Sequence, residues 1–127
     1  MKKLCTPILA GMLVTALGAQ TPGVKRRIVE RGDIAAPGRE AVIVDIEIAP
    51  GASAGRHTHP GEEISYVIDG QGEIMIDGQP LRKLKTGDSI MIPAGKIHDV
   101  RNTGTGPLKI RAAYVVEKGK PLSTPAP

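Results

Sequence analysis

From Ala41 onward, apolar and polar residues alternate in short runs separated by Gly and Pro. Val42 to Ile48 (VIVDIEI) sets Val42, Val44, Ile46 and Ile48 on one face of an extended chain, with Asp45 and Glu47 opposite. Further runs lie at Glu63–Asp69, Glu73–Asp77, Leu81–Lys85, Ser89–Ile92, His98–Arg101 and Leu108–Val116. β-Branched residues are frequent in these runs, and turn residues punctuate them at the spacing of an all-β sandwich or barrel. No segment carries a helical apolar period over ten or more residues. Asp77-Gly78 predicts a short hairpin, because a type I′ turn takes positive φ at both central residues. Gly70-Gln-Gly72, Thr86-Gly87-Asp88 and Asn102-Thr-Gly104 mark other reversals.

The flanks read differently. Residues 20–40 are polar and rich in Gly, Pro and Arg, and predict an N-terminal arm with at most one edge strand. Residues 117–127 (EKGKPLSTPAP) have too few apolar groups to pack and predict a mobile tail. Between them, residues 41–116 make one β domain without an internal repeat. In EEISYVID, Glu63, Ser65 and Val67 share one face, while Ile64, Tyr66 and Ile68 share the other. An apolar face behind a polar one implies that both are covered, by the arm, a second sheet or another subunit. A homodimer is the expectation that follows.

Composition narrows the picture. At 40% hydrophobic the chain can bury a core, but only 2% is aromatic, with Tyr66 and Tyr114 as its sole rings. The core is therefore aliphatic. Met1-Lys2-Lys3 followed by the apolar run 4–17 and small residues at Ala16, Gly18 and Ala19 has the order of a secretory signal peptide over residues 1–19. That run is shorter than the roughly 20 residues a membrane span needs. The expected location is periplasmic or extracellular, with no membrane attachment after cleavage. Cys5, the single cysteine, would leave with the signal, so disulfides, thiol catalysis and Cys-ligated zinc are excluded. Loss of Lys2 and Lys3 lowers the formal charge from +4 by two, to +2. A mildly basic domain with two rings does not suit nucleic-acid binding, which uses clustered basic faces and stacking aromatics.

The candidate chemistry lies in HTHPGEE, residues 57–63. Residues i and i+2 of an extended chain point the same way, so His57 and His59 can converge on one point. Glu63 keeps their parity, whereas Glu62 points away unless the Pro60-Gly61 bend turns it inward. The third and last histidine, His98, opens another run behind Pro93-Ala94-Gly95. Three imidazoles and one carboxylate suit one divalent transition metal per chain (Mn, Fe, Ni, Zn or Cu) rather than calcium. Such a set leaves coordination positions open for a ligand, as in a catalytic rather than a structural site.

Gly51-x5-His57-x-His59-x3-Glu63-x6-Gly70 and Gly87-x5-Pro93-x-Gly95-x2-His98-x3-Asn102 resemble, at every fixed position, the two motifs of the cupin superfamily. The chain is similar to its small single-domain members. The resemblance implies a jelly-roll β-barrel of two antiparallel sheets, with metal held inside by His57, His59, Glu63 and His98. It also implies turn-making roles for Gly51, Gly70, Gly87, Pro93 and Gly95, and a side-chain turn cap at Asn102. It does not choose a reaction.

Two functions follow as expectations. One is a secreted metalloenzyme acting on a small oxygen-bearing substrate, a hydroxy, keto or sugar-acid-like compound, by Lewis-acid or dioxygen chemistry. The other is a non-catalytic module that binds a small ligand or the metal itself. Glu62 and Tyr66 are the lesser candidates for a catalytic group, and Arg56 and Arg101 for substrate binding.

Overall fold

The computed structural model describes residues 21–127, and the expected signal peptide at residues 1–19 lies outside them. Among the described residues, ten strands account for the architecture: β1 (Val24–Asp33), β2 (Arg39–Ile48), β3 (His57–Thr58), β4 (Gly61–Asp69), β5 (Gln71–Ile76), β6 (Arg82–Lys85), β7 (Ser89–Ile92), β8 (His98–Asn102), β9 (Leu108–Glu117) and β10 (Thr124–Pro125). They form two five-stranded antiparallel sheets, ordered β1-β2-β9-β4-β7 and β10-β3-β8-β5-β6. The all-β architecture read from the alternation, and the two-sheet jelly roll that the cupin resemblance implies, are the fold observed.

Period-2 alternation places the core. In β4 and β9 every second residue is buried, and β9 contributes Leu108, Ile110, Ala112, Tyr114 and Val116 to the interior. β2 pairs with β9 in unbroken register from Arg39↔Glu117 to Ile48↔Leu108. This brings Val42, Val44 and Ile48 against the same interior. Each such aliphatic side chain stabilises the fold by about 1.5–3 kcal/mol relative to exposure. The buried residues form two apolar clusters, one around Ile48, Ile74, Ile92 and Leu108, the other around Val42, Val44, Tyr114 and Leu122.

Two local expectations are corrected, at the β5–β6 hairpin and at the C-terminal segment. The hairpin between β5 and β6 is not a two-residue type I′ turn, since only Gly78 has positive φ (82°) and Gln79 N–H donates to the Ile76 carbonyl at 2.9 Å. That combination is a type II turn, followed by Pro80 and Leu81 before β6. The edge strand allowed for in the arm at residues 20–40 is present as β1, longer than the short apolar step at Ile28-Val29 indicates, and it pairs with β2 with a bulge between Ile28 and Glu30. Residues 117–127 do not form a mobile tail. Leu122 is buried, and β10 pairs with β3 through Thr124↔Thr58 and Pro125↔His57. A single leucine inserted at a barrel end, with two ladder pairs beyond it, suffices to order a segment too polar to pack along its length.

Candidate metal centre

The two sheets present the site from opposite sides. On one, His57 of β3 lies directly across from His98 of β8. On the other, Glu63 of β4 lies directly across from Tyr114 of β9. His59 sits on the link from β3 to β4 and bridges the sheets. The three imidazoles cluster, with ring centroids 4.2 Å apart for His57–His98, 4.8 Å for His57–His59 and 5.0 Å for His59–His98. Their candidate ligand nitrogens all lie within 4.8 Å of one another.

Local sequence explains this placement. Gly61 opens β4 so close to β9 that a Cβ there would sit 1.9 Å from the Val115 carbonyl oxygen. Only glycine lets β4 start at that point and carry Glu63 inward two residues later. Pro93 and Gly95 shape a turn in which Lys96 N–H donates to the Pro93 carbonyl, and Gly95 N–H donates to the His59 carbonyl.

The histidine tautomers are set by backbone carbonyls. His57 Nδ1 donates to Gly55 O at 2.5 Å, His59 Nδ1 to Leu122 O at 2.6 Å and His98 Nδ1 to Lys96 O at 2.9 Å. A carbonyl only accepts, so each Nδ1 carries the proton and each Nε2 keeps a free lone pair. His59 Nε2 and His98 Nε2 are buried without a hydrogen-bond partner. Each lies 3.7 Å from a Glu63 carboxyl oxygen, beyond hydrogen-bond reach. Buried acceptors that converge with no donor among them fit a cation. Imidazole nitrogens held through Nδ1, beside a carboxylate, are a donor set for a transition metal.

Burial controls protonation here. It lowers His59 to a pKa of about 3 and His98 to about 4, and it also lowers His57. Burial raises Glu63 to about 7, and the neighbouring Tyr114 hydroxyl opposes the shift by favouring the carboxylate. Tyr114 is pushed well above the ordinary phenol value, first by its own burial and then by the Glu63 charge. At neutral pH the three imidazoles are therefore neutral, the form that can ligate a metal, and Tyr114 keeps its proton.

The remaining predicted residues lie elsewhere. Glu62 and Tyr66 are exposed on the outer face of β4, as strand parity requires. Arg56 makes a bidentate pair with Asp77 at 3.0 Å for each contact, and its Nε donates to Pro127 O at 2.7 Å, so it is not free to meet a ligand. Arg101 is exposed on the outer side of β8. Asn102 is buried and donates to Ile48 O and Gly106 O while accepting from Gly104 N–H, all at 2.8 Å. It ties the end of β2 to the turn after β8. Gly51, Gly70, Gly87 and Gly95 all have positive φ.

The histidines and Glu63 line a cavity with about 40 Å³ open to the centres of water-sized atoms. Three of its groups were not singled out in the sequence as site residues: Tyr114, Arg26 and the Leu122 carbonyl. Tyr114 carried a signal, since its parity with Ala112 and Val116 puts it on the core face. Ser65, inward by parity, is buried with its hydroxyl unpartnered.

Comparisons with known proteins agree with this picture. Residues 44–117 match the family described as cupin domain. Among curated proteins, the oxalate-binding protein of Thermotoga maritima is 33% identical over 72 residues, 56% of this chain and 59% of that protein. The dimethylsulfoniopropionate lyase DddQ of Ruegeria pomeroyi is 40% identical over 45 residues, 35% of this chain and 22% of that enzyme. The chain thus spans between about a fifth and three fifths of these relatives' lengths. A solved Klebsiella pneumoniae protein with a double-stranded β-helix domain superposes with a TM-score of 0.67 over 88% of this chain and 91% of its own. At 23% identity, that likeness concerns the fold.

Proposed function

The chain belongs to the cupin family, and from that premise we propose that it is a secreted metal-dependent enzyme acting on a small oxygen-bearing substrate of the hydroxy, keto or sugar-acid type. One divalent transition metal per chain is held by His57, His59, His98 and Glu63. The observation that carries this reading is the cluster of three carbonyl-fixed imidazoles, two of whose buried, unpartnered Nε2 atoms each lie 3.7 Å from the Glu63 carboxylate. When bound, such an ion supplies Lewis-acid polarisation of a substrate oxygen or, for a redox-active ion, one-electron chemistry toward dioxygen.

The chain's own groups do the rest. The carbonyls of Gly55, Leu122 and Lys96 orient the ligand imidazoles. Tyr114 keeps its proton and places its hydroxyl beside Glu63, favouring the carboxylate form of that residue. The aliphatic wall, including Val44, Ile48 and Val100, restricts water. The small cavity supports a substrate of few heavy atoms.

A second reading, a non-catalytic binding module, is favoured by one feature. Apart from the ligand set and Arg26, the ionisable cavity-lining group among the described residues is Tyr114, whose raised pKa keeps it protonated, so it offers no free base near neutral pH. Metal analysis of protein from the extracytoplasmic fraction, followed by dioxygen uptake with hydroxy, keto and sugar acids, separates the two. Turnover abolished by His98→Ala supports the enzyme, and one metal per chain without turnover supports the binder. N-terminal sequencing of the same sample tests removal of residues 1–19.

The homodimer is part of the proposal. Ile64, Tyr66, Ile68 and Met91 form an exposed apolar face on β4 and β7, with Met91 67% exposed. An apolar face of this kind is a recurrent subunit contact. Met91→Glu should shift the sedimentation mass toward one chain, and an unshifted dimer would contradict this use of the face.

A further inference from the structure

β1 lies outside the segment matched to the family, yet it lines the metal cavity. Its alternation places Val24, Arg26 and Ile28 inward and Lys25 and Arg27 outward. Arg26 pairs in register with Ile46 of β2, whose side chain lines the same cavity. Arg27 and Arg111 are engaged by Asp45, Arg31 by Glu40 and Arg56 by Asp77. Arg26, by contrast, has no ion pair and no side-chain hydrogen bond among the described residues, and it is half-buried. No contact of 4 Å or less joins it to Glu63, the one acid lining the cavity. Its positive charge nevertheless acts on His57, His59, Glu63 and Tyr114.

A half-buried guanidinium facing a cavity whose lining acid, Glu63, lies beyond ion-pair reach has five donors without an anionic partner. The other polar groups on the lining are imidazoles, hydroxyls and the Glu63 carboxyl, so among the described residues Arg26 is the one permanent cation there. We propose that Arg26 is the anion-recognition residue of the cavity, and that the ligand class is a small carboxylate bearing a second oxygen group. The second oxygen lies toward the histidine cluster, and the carboxylate lies on the guanidinium. The volume admits a ligand of few heavy atoms. This inference rests on the reading of the cavity as a metal-dependent ligand site, and it narrows the substrate class of that site.

The test is calorimetric titration of zinc-loaded protein, a redox-silent filling, with glycolate and with its neutral counterpart glycolamide. Arg26→Met should weaken glycolate binding about tenfold to a hundredfold, the usual worth of a charge-assisted hydrogen bond. Glycolamide binding should change less than about threefold. Arg26→Lys should recover part of the glycolate affinity, since it keeps the charge but loses the fork. Zinc affinity in Arg26→Met should hold or rise, because a like charge has been removed. Should Arg26→Met fail to fold, Arg26→Gln carries the same expectations.

Equal glycolate affinity in wild type and Arg26→Met overturns the inference and leaves the metal site intact. Parallel loss of glycolate, glycolamide and zinc, with a lowered melting temperature, also overturns it, by showing that Arg26 only packs β1. A wild-type protein that takes up no zinc contradicts the metal-dependent reading itself, and the inference with it.

Discussion

Tyr114 is the cross-strand partner of Glu63, and its ring lies 4.6 Å, centroid to centroid, from that of His59. The pairing puts a protonated phenol beside the one carboxylate that the candidate metal centre needs in ionised form. Removing the hydroxyl takes away a group that favours the carboxylate. Tyr114→Phe should therefore retain the fold and lower zinc affinity at pH 7 by about tenfold, in line with a hydrogen bond to a charged group. Competition titrations at pH 6, 7 and 8 should show the loss shrinking at pH 8. An unchanged affinity at all three values would separate Tyr114 from Glu63.

Metal binding should be proton-coupled through Glu63. Its pKa of about 7 means that below this pH a proton must leave before the carboxylate can serve as a ligand. Affinity should then fall about tenfold per pH unit from roughly pH 7 down toward pH 4, where His98 also begins to take up a proton. Glu63→Gln should bind zinc more weakly and show a flatter dependence over the upper part of that range.

Without metal, the same shifts set the acid stability. Glu63 has a folded pKa above its ordinary 4.5, so the unfolded chain ionises first, and stability falls as pH rises from about 4.5 to 7. His59 and His98 have folded pKa values below their ordinary 6.5, so the unfolded chain takes protons first, and stability falls as pH drops through 6.5 toward 4. The histidine effect is larger because more than one ring contributes. Denaturant unfolding of the apo protein should show a net loss on acidification below pH 6.5. Apo Glu63→Gln should be more stable than wild type at pH 8, by on the order of 2 kcal/mol.

The C-terminal segment should matter to the metal. Leu122 is buried, and its carbonyl accepts from His59 Nδ1 at 2.6 Å. Leu122→Ala should cost about 2–3 kcal/mol through lost packing. Truncation after Lys118 should, in addition, lower zinc affinity by about 10–100-fold, the usual effect of losing a partner that orients a ligand. Calorimetric titration checks both, and a truncated protein with wild-type affinity would contradict the role assigned to the carbonyl.

Asn102 should be structural. Its amide satisfies Ile48 O, Gly106 O and Gly104 N–H at once, in a position only 1% exposed. Asn102→Ala leaves buried backbone groups unpaired and should cost about 3 kcal/mol in denaturant unfolding. Metal stoichiometry in the folded fraction should be unaffected.

Much of this was legible in the sequence because the determinants are local. Alternation in VIVDIEI and EEISYVID set the inward faces of β2 and β4, and Gly and Pro set the turns. The four proposed ligands follow from parity and from a histidine behind each turn. What escaped notice depends on pairing across the barrel. Arg26 lies in a basic triplet, Lys25-Arg26-Arg27, whose charge hides an inward alternation with Val24 and Ile28. The order of residues 117–127 comes from one leucine and a two-pair ladder that composition does not reveal. Arg56 reads as a free cation beside the histidines until Asp77, 21 residues away, is brought against it.

X-ray absorption of the zinc-loaded protein tests the central claim most directly. The account predicts three imidazole nitrogens at about 2.0–2.1 Å with carboxylate oxygen completing the set. It also predicts a drop to two imidazoles in His98→Ala. Fewer than three imidazoles in the wild type, or a spectrum unchanged by His98→Ala, would contradict it.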